Sequence, residues 1–127
     1  MTSPVSVRLP RETEDKVRMI AALEHRSLAE MVRLLAEEAL KLREFPDVTF
    51  TEGPAGRRAT LINGPDVWEV VEPYLLAGKE WQALRESYPQ LEEATLRGAI
   101  RYYEAYPDEI EARIALNRDR PEEGSQP

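Results

Sequence analysis

The chain of 127 residues contains no cysteine and a single histidine, His25. The lack of cysteine excludes disulfides, thiolate metal ligands and a cysteine nucleophile. One histidine excludes a His-rich zinc site and argues against a histidine-based catalytic relay. The sequence also has no apolar run of membrane-spanning length and no signal-like hydrophobic region after Met1. We therefore expect a cytoplasmic protein that does not enter the membrane.

Motifs that carry catalysis are missing as well. The sequence has no nucleophile elbow, no phosphate-binding loop and no metal-ligand spacing, and its carboxylates fall at helix starts and on polar helix faces. Glu37 and Glu38 belong to such a face, because no other ligand-type residue stands at a matching spacing. We expect no enzymatic activity, no catalytic residue, no metal site and no cofactor.

The formal net charge of −7 argues against nucleic-acid binding by the chain as a whole, but this charge is unevenly distributed. Residues 1–44 hold eight basic and eight acidic side chains, whereas the remainder holds nine basic and sixteen acidic ones. Every aromatic residue lies at Phe45 or later. This shift predicts one domain over residues 1–45 and a second over 46–118. Residues 119–127 are polar, and we expect them to form a disordered tail.

The segment PVSVRLP, residues 4–10, alternates apolar with polar residues, as is typical of a half-buried strand. The alternating residues are Val5, Ser6, Val7, Arg8 and Leu9. Pro10 ends the pattern, and a helical pattern follows at once. A single strand leaves its backbone donors and acceptors unpaired, and no second strand lies nearby in the sequence. We therefore expect this strand to pair with its counterpart in another copy of the chain.

Two helices are predicted after Pro10. The first has an acidic first turn, and the second begins at the capping-box pair Ser27 and Glu30. A unit of about 45 residues is close to the lower limit of about 40 for unaided folding, so two copies would have to share one core. The residues expected in this shared dimer core are Val5, Val7, Leu9, Ile20, Met31, Val32 and Leu35.

Pairing of the two strands would leave Ser6 and Arg8 of each copy on the solvent face of the ribbon. A two-stranded ribbon fits the major groove of B-DNA, where arginine can donate two hydrogen bonds to guanine. The alternative is that Arg8 is an ordinary solvated strand residue.

The stretch SVRLPRETEDKVRMIAALEHRSLAEMVRLLAEEAL resembles the ribbon-helix-helix DNA-binding domains of the Arc, MetJ and CopG type. The resemblance implies that Ser6 and Arg8 read bases, whereas Pro4, at a third such position, offers no side-chain hydrogen bond. It also implies a left-handed turn residue at His25, where many members have glycine. The residues for which it implies contacts with the DNA backbone are Arg11, Arg26, Ser27 and Leu28.

The second part of the chain predicts a β-hairpin followed by helices. In VTFTEGPAGRRATLI, Val48 alternates with Phe50 and Ala59 with Leu61, on either side of a Gly-Pro-Ala-Gly turn. A helix begins near Pro65, and we expect Pro73 to bend it or end it early. Three more helices should follow, with inward residues Trp81 and Leu84, then Leu96, Ile100 and Tyr103, then Ile110 and Ile114. The expected fold class is mainly α, with a ribbon-helix-helix unit and a small hairpin-plus-helical domain.

This second part resembles domain-of-unknown-function family 433, which often occurs in antitoxins of the VapB type. The similar stretches are GPAGRRATLI, YLLAGKEWQALRESYPQLEEATLRGAIRYY and YPDEIEARIALNR. The resemblance implies a helix-turn-helix-like domain and a toxin partner of the PIN-like nuclease type. The acidic surplus suits binding to a protein better than binding to DNA. Arg57 and Arg58 would reach into an acidic nuclease pocket, or else they are polar residues of an ordinary hairpin tip.

The sequence thus predicts a dimeric, sequence-specific DNA-binding transcriptional repressor, the antitoxin of a type II toxin–antitoxin system. It would repress its own operon and neutralise a PIN-like nuclease. The expected partners are a second copy of the chain, with higher-order assembly on DNA, double-stranded operator DNA, and the toxin. Two alternatives stay open: an interaction adaptor that uses the ribbon only to dimerise, and a stand-alone repressor without a toxin.

Overall fold

The computed structural model of the chain describes residues 3–54 and 56–119. It is mainly helical, with one small antiparallel sheet, as expected. The chain divides into two compact units, Met1–Arg43 and Glu44–Pro127. This division falls slightly before the boundary expected near Phe45, and Phe45 is buried in the core of the second unit. Among the described residues, none of the helices combines the length and apolar character needed to cross a membrane.

The first unit contains two helices, α1 (Arg11–Leu23) and α2 (Leu28–Glu44), whose last residue already belongs to the second unit. Helix α1 starts directly after Pro10 and carries Glu12 and Glu14 in its first turn, where the helix dipole favours negative charge. Both helices begin where the sequence predicts them.

The turn between α1 and α2 closes with two backbone hydrogen bonds. The amide of Arg26 donates to the carbonyl of Ala21 at 2.8 Å, and the amide of His25 donates to the carbonyl of Ala22 at 3.3 Å. This pair of bonds is the Schellman arrangement, which places a left-handed residue just after the helix. His25 occupies that position with a φ of 57°. The expectation of a left-handed residue at His25 is confirmed.

The core of the first unit is small. Only Val17, Ala21 and Met31 are buried among its described residues. Partly buried side chains of α2 complete the cluster, and they are Leu28, Val32, Leu34 and Leu35. One copy of this unit therefore encloses very little apolar surface.

The second unit begins with the predicted hairpin, β1 (Val48–Thr51) and β2 (Arg58–Leu61). The strands pair antiparallel with Val48 opposite Leu61 and Phe50 opposite Ala59, so the alternating apolar residues share one face, as expected. Gly53 and Gly56 exchange backbone hydrogen bonds of 3.1 and 2.9 Å and close the turn.

Four helices follow the hairpin: α3 (Val67–Leu76), α4 (Trp81–Ser87), α5 (Glu93–Ala105) and α6 (Pro107–Asp119). Pro73 lies inside α3, which continues to Leu76, so the proline does not end the helix where it stands. Helix α6 extends to Asp119, the first residue of the predicted tail. The rest of that tail, residues 120–127, lies outside the described residues.

The core of the second unit is extensive, and α3 packs against both α5 and α6. Leu96, Tyr103, Ile110 and Ile114 are buried as predicted, whereas Ile100 is only partly buried. Tyr102 is fully buried instead, because its ring packs edge-on against Phe45 with a centroid distance of 5.1 Å. The Tyr102 hydroxyl donates to Glu109 at 2.8 Å, which satisfies its polar end within the core.

Candidate nucleic-acid interface

Residues 3–10 precede α1 without a partner strand among the described residues of this single copy. Val5 and Val7 are 79% and 63% exposed, Ser6 and Arg8 are also exposed, and Leu9 is intermediate. The apolar side of the predicted strand thus lies as open to solvent as its polar side. That this segment forms a strand paired with its counterpart in a second copy stays a prediction.

Basic side chains near the start of α1 differ from those further along the unit. Arg18, Arg26 and Arg33 each form ion pairs with carboxylates on the same helix or the adjoining turn, at 2.8 to 3.3 Å. Arg8, Arg11 and Lys16 form no ion pair with any described residue. The first unit holds eight basic and seven acidic side chains, a net charge of +1. Three of its unpaired cations lie within residues 8–16, next to Glu12, Glu14 and Asp15, and Arg43 at the end of α2 is unpaired as well.

Ser27 caps α2, as its oxygen Oγ accepts a hydrogen bond from the Glu30 amide at 3.1 Å. The carboxylate of Glu30 pairs with Arg26 at 3.3 Å, and Arg26 also pairs with Glu24 at 3.3 Å. These side chains are substantially exposed, and such pairs contribute only about 0–1 kcal/mol, so a phosphate can compete for Arg26. The implied contacts of Arg11, Arg26, Ser27 and Leu28 with the DNA backbone stay predictions.

The predicted dimer core is divided between buried and exposed positions. Met31 is buried, Val32 and Leu35 are partly buried, and Ile20 is 36% exposed. Seven of the ten large apolar side chains exposed among the described residues belong to the first unit. They are Val5, Val7, Met19, Ile20, Leu23, Leu40 and Leu42. Four of them are not among the residues predicted for the dimer core, namely Met19, Leu23, Leu40 and Leu42. Met19 and Leu23, four residues apart, lie on the same side of α1.

In the second unit, Arg57 and Arg58 differ in their surroundings. Arg57 is largely exposed and pairs with Glu52 at 3.0 Å. Arg58 is partly buried and donates from Nε to Asp66 Oδ2 at 2.6 Å, while Thr60 and Trp68 donate to the same carboxylate at 3.1 and 3.2 Å. Arg58 therefore joins β2 to the start of α3, and its contact with a partner stays a prediction.

No group of three or more histidine, aspartate or glutamate side chains among residues 3–54 and 56–119 could hold a metal ion. Two tyrosines of the second unit have altered acidity. The pKa of Tyr103 is raised, chiefly because its hydroxyl donates a hydrogen bond to Glu111. Burial and the negative charge of Glu111 raise it further. Burial, and then the charge of Glu69, raises the pKa of Tyr88. Neither tyrosine belongs to the candidate nucleic-acid interface.

Comparison of the chain with protein-family models, with curated proteins and with solved structures gives no match.

Proposed function

We propose that the chain is a dimeric, sequence-specific DNA-binding repressor of the ribbon-helix-helix class, and the antitoxin of a type II toxin–antitoxin pair. The observation that carries this proposal is the exposed apolar surface of the first unit. Only three residues of its described part are buried, whereas seven large apolar side chains are exposed to solvent.

A second copy of the first unit relieves this exposure. Pairing of the two segments around Val7 satisfies their backbone groups and turns Val5, Val7 and Leu9 of each copy toward the helices. Full burial of a valine side chain contributes about 1.5–3 kcal/mol, so the valines of two copies alone supply a substantial part of a stable interface. Ile20 on α1 borders the same core and becomes buried with them.

The same ribbon presents Ser6 and Arg8 of both copies on its outer face. Arg8 has no carboxylate partner within the described chain, so its guanidinium is available for a guanine in the major groove. Arg11 and Lys16 form no ion pair with a described residue, so each can contact a phosphate and help position the protein. Glu12, Glu14 and Asp15 nevertheless make residues 8–16 neutral in sum. The first unit therefore supplies a base-reading group and cations for phosphate contacts, and it lacks the acidic surplus of the second unit.

The second unit holds nine basic and seventeen acidic side chains, so the negative charge of the chain belongs to it. This charge disfavours DNA and favours a protein partner, and the resemblance to VapB-type antitoxins makes that partner a PIN-like nuclease toxin. Co-purification with the product of the neighbouring open reading frame tests this role. If the chain binds upstream DNA but does not co-purify with the product of that reading frame, the result would favour a stand-alone repressor without a toxin.

Binding to the DNA upstream of the gene tests the repressor role. In a gel-shift titration we expect Arg8→Ala to lose about 1–3 kcal/mol of specific binding, or about 5- to 150-fold in affinity, because one bidentate base contact is removed. Arg33→Ala is the matched control, since Arg33 is exposed and paired with Glu37 on α2. Equal loss in both variants would contradict base reading by Arg8. If the chain forms a dimer but does not bind upstream DNA, the result would favour the alternative of an interaction adaptor that uses the ribbon only to dimerise.

A further inference from the structure

The second unit contains a groove of about 580 Å³ between the hairpin, the start of α3 and α6. Trp68 and the exposed Leu116 supply its apolar surface. Four charged side chains line it as well, namely Arg58, Asp66, Glu69 and Arg113. What the groove can bind depends on which of these charges remain uncompensated.

Three of the four charges are compensated within the unit. Arg58 and Asp66 form an ion pair of 2.6 Å, and Trp68 Nε1 donates to the same Asp66 oxygen. Glu69 Oε1 accepts the Asp66 amide at 2.8 Å, so its negative charge lies at the N-terminus of α3, where the helix dipole stabilises it.

Arg113 is the exception. Its Nη2 atom donates to the backbone carbonyl of Arg57 at 2.7 Å, and no described carboxylate forms an ion pair with it. A guanidinium has five N–H donors, so most of its donors and its full charge remain available. The bond to Arg57 also restrains the side chain, which lowers the entropy lost when a ligand binds.

We propose that Arg113, together with Trp68 and Leu116, forms the docking site for a partner-protein segment that carries a carboxylate side chain next to an apolar one. The carboxylate would bind the Arg113 guanidinium in bidentate fashion, and the apolar side chain would lie on Trp68 and Leu116. This inference rests on the proposed partner-binding role of the second unit. Two arginines and two carboxylates line the groove, which is therefore neutral in sum. Acidic side chains elsewhere on the unit oppose an acidic segment only weakly where they lie beyond about 8 Å, because salt screens exposed charges at that distance.

Nuclear magnetic resonance with the full chain and two capped tetrapeptides tests the site. The probe is acetylated, amidated Leu-Glu-Leu-Glu, and the control is Leu-Gln-Leu-Gln. The chain has two indole N–H signals, from Trp68 in the groove and from Trp81, which does not line it. We expect the glutamate peptide to shift the Trp68 signal saturably, with a dissociation constant in the millimolar range, and the glutamine peptide to bind at least tenfold more weakly. The Trp81 signal should not shift with either peptide.

Two charge reversals complete the experiment. We expect Arg113→Glu to abolish the Trp68 response, whereas Arg101→Glu, which reverses an exposed arginine of α5, leaves it unchanged. Equal responses to the two peptides, a response retained in Arg113→Glu, or no response at all would overturn the proposal. These outcomes are independent of dimerisation and DNA binding. A toxin that still co-purifies with Arg113→Glu would place the partner surface elsewhere while preserving the antitoxin role.

Discussion

At the scale of single residues, His25 and Gly78 occupy equivalent positions in the chain. Each follows a helix with positive φ, 57° at His25 and 67° at Gly78. Each also lies in a turn closed by the same two backbone hydrogen bonds. After α3, the amide of Gly78 donates to the carbonyl of Leu75, and the amide of Lys79 donates to that of Tyr74, which repeats the two bonds described above for the turn at His25. Glycine is the usual residue there, since a Cβ atom strains the left-handed conformation. At this position the turn of the first unit therefore carries strain that glycine avoids after α3, although Lys79, the next residue there, is itself left-handed with a φ of 64°.

Substitution of His25 tests this strain. We expect His25→Gly to be more stable toward urea than His25→Ala by about 1 kcal/mol, because alanine keeps the Cβ atom and glycine does not. Both variants remove the imidazole, so the difference isolates the backbone effect. The measurement needs a fixed protein concentration, because the proposed dimerisation of the first unit would make its apparent stability depend on concentration. An alanine variant as stable as the glycine variant would show that the turn is not strained.

At the scale of secondary-structure elements, α3 accommodates a proline because a side chain nineteen residues beyond Glu69 donates to the Glu69 carbonyl. Pro73 has no N–H group, so it cannot donate to the carbonyl of Glu69, its partner four residues earlier in the helix. The hydroxyl of Tyr88, just after α4, donates to that carbonyl at 2.9 Å. The otherwise unpaired acceptor is thus satisfied, and the helix continues through Pro73 to Leu76.

A double-mutant cycle on Pro73 and Tyr88 measures this compensation. We expect Tyr88→Phe to cost about 1 kcal/mol of unfolding free energy in the parent, because it leaves the Glu69 carbonyl without its donor. In the Pro73→Ala background the alanine amide can replace that donor, so the same change should cost clearly less. Tyr74→Phe, a control on α3, should show no such dependence. Equal costs of Tyr88→Phe in both backgrounds would exclude this role for the hydroxyl.

At the scale of the whole molecule, the two units differ in how completely each encloses its own core. The second unit buries an extended apolar cluster that reaches from Phe45 to Ile114, whereas the first buries three residues. Stability of the first unit should therefore depend on a second copy, and stability of the second unit should not. Both tryptophans, Trp68 and Trp81, lie in the second unit, so their fluorescence reports on that unit alone.

Thermal unfolding at several protein concentrations tests this difference. On dilution we expect part of the loss of helical circular dichroism, the part due to the first unit, to occur at a lower temperature, because mass action weakens a dimer. The midpoint of the tryptophan fluorescence transition, which reports on the second unit, should not change. Val7→Glu should remove the concentration dependence and give a monomer in ultracentrifugation, because a charge cannot be buried beside Ile20. The control Arg33→Ala should change neither the concentration dependence nor the oligomeric state. Coincident transitions that do not move with concentration would contradict the dimer.

Local features of the fold could be predicted because their causes lie within a few residues. The hairpin follows from the alternation around Phe50 and the glycines of its turn, and α2 begins at the cap that Ser27 provides. The left-handed turn at His25 also needs only its neighbours. In the candidate interface, the exposed cations near Arg8 and the valines beside it were visible in the strand pattern, whereas their pairing across two copies remains a prediction.

The sequence by itself therefore determined the order of the helices and the hairpin, the position of the turns and the contrast between a neutral and an acidic part. Only the tertiary structure decided which side chains meet across long separations. It buried Tyr102 against Phe45, brought Tyr88 to the carbonyl that Pro73 leaves open, and joined Arg113 to the backbone of Arg57. The physical reason is that turns and caps depend on short-range backbone geometry, whereas these contacts depend on how helices and hairpin pack within the second unit.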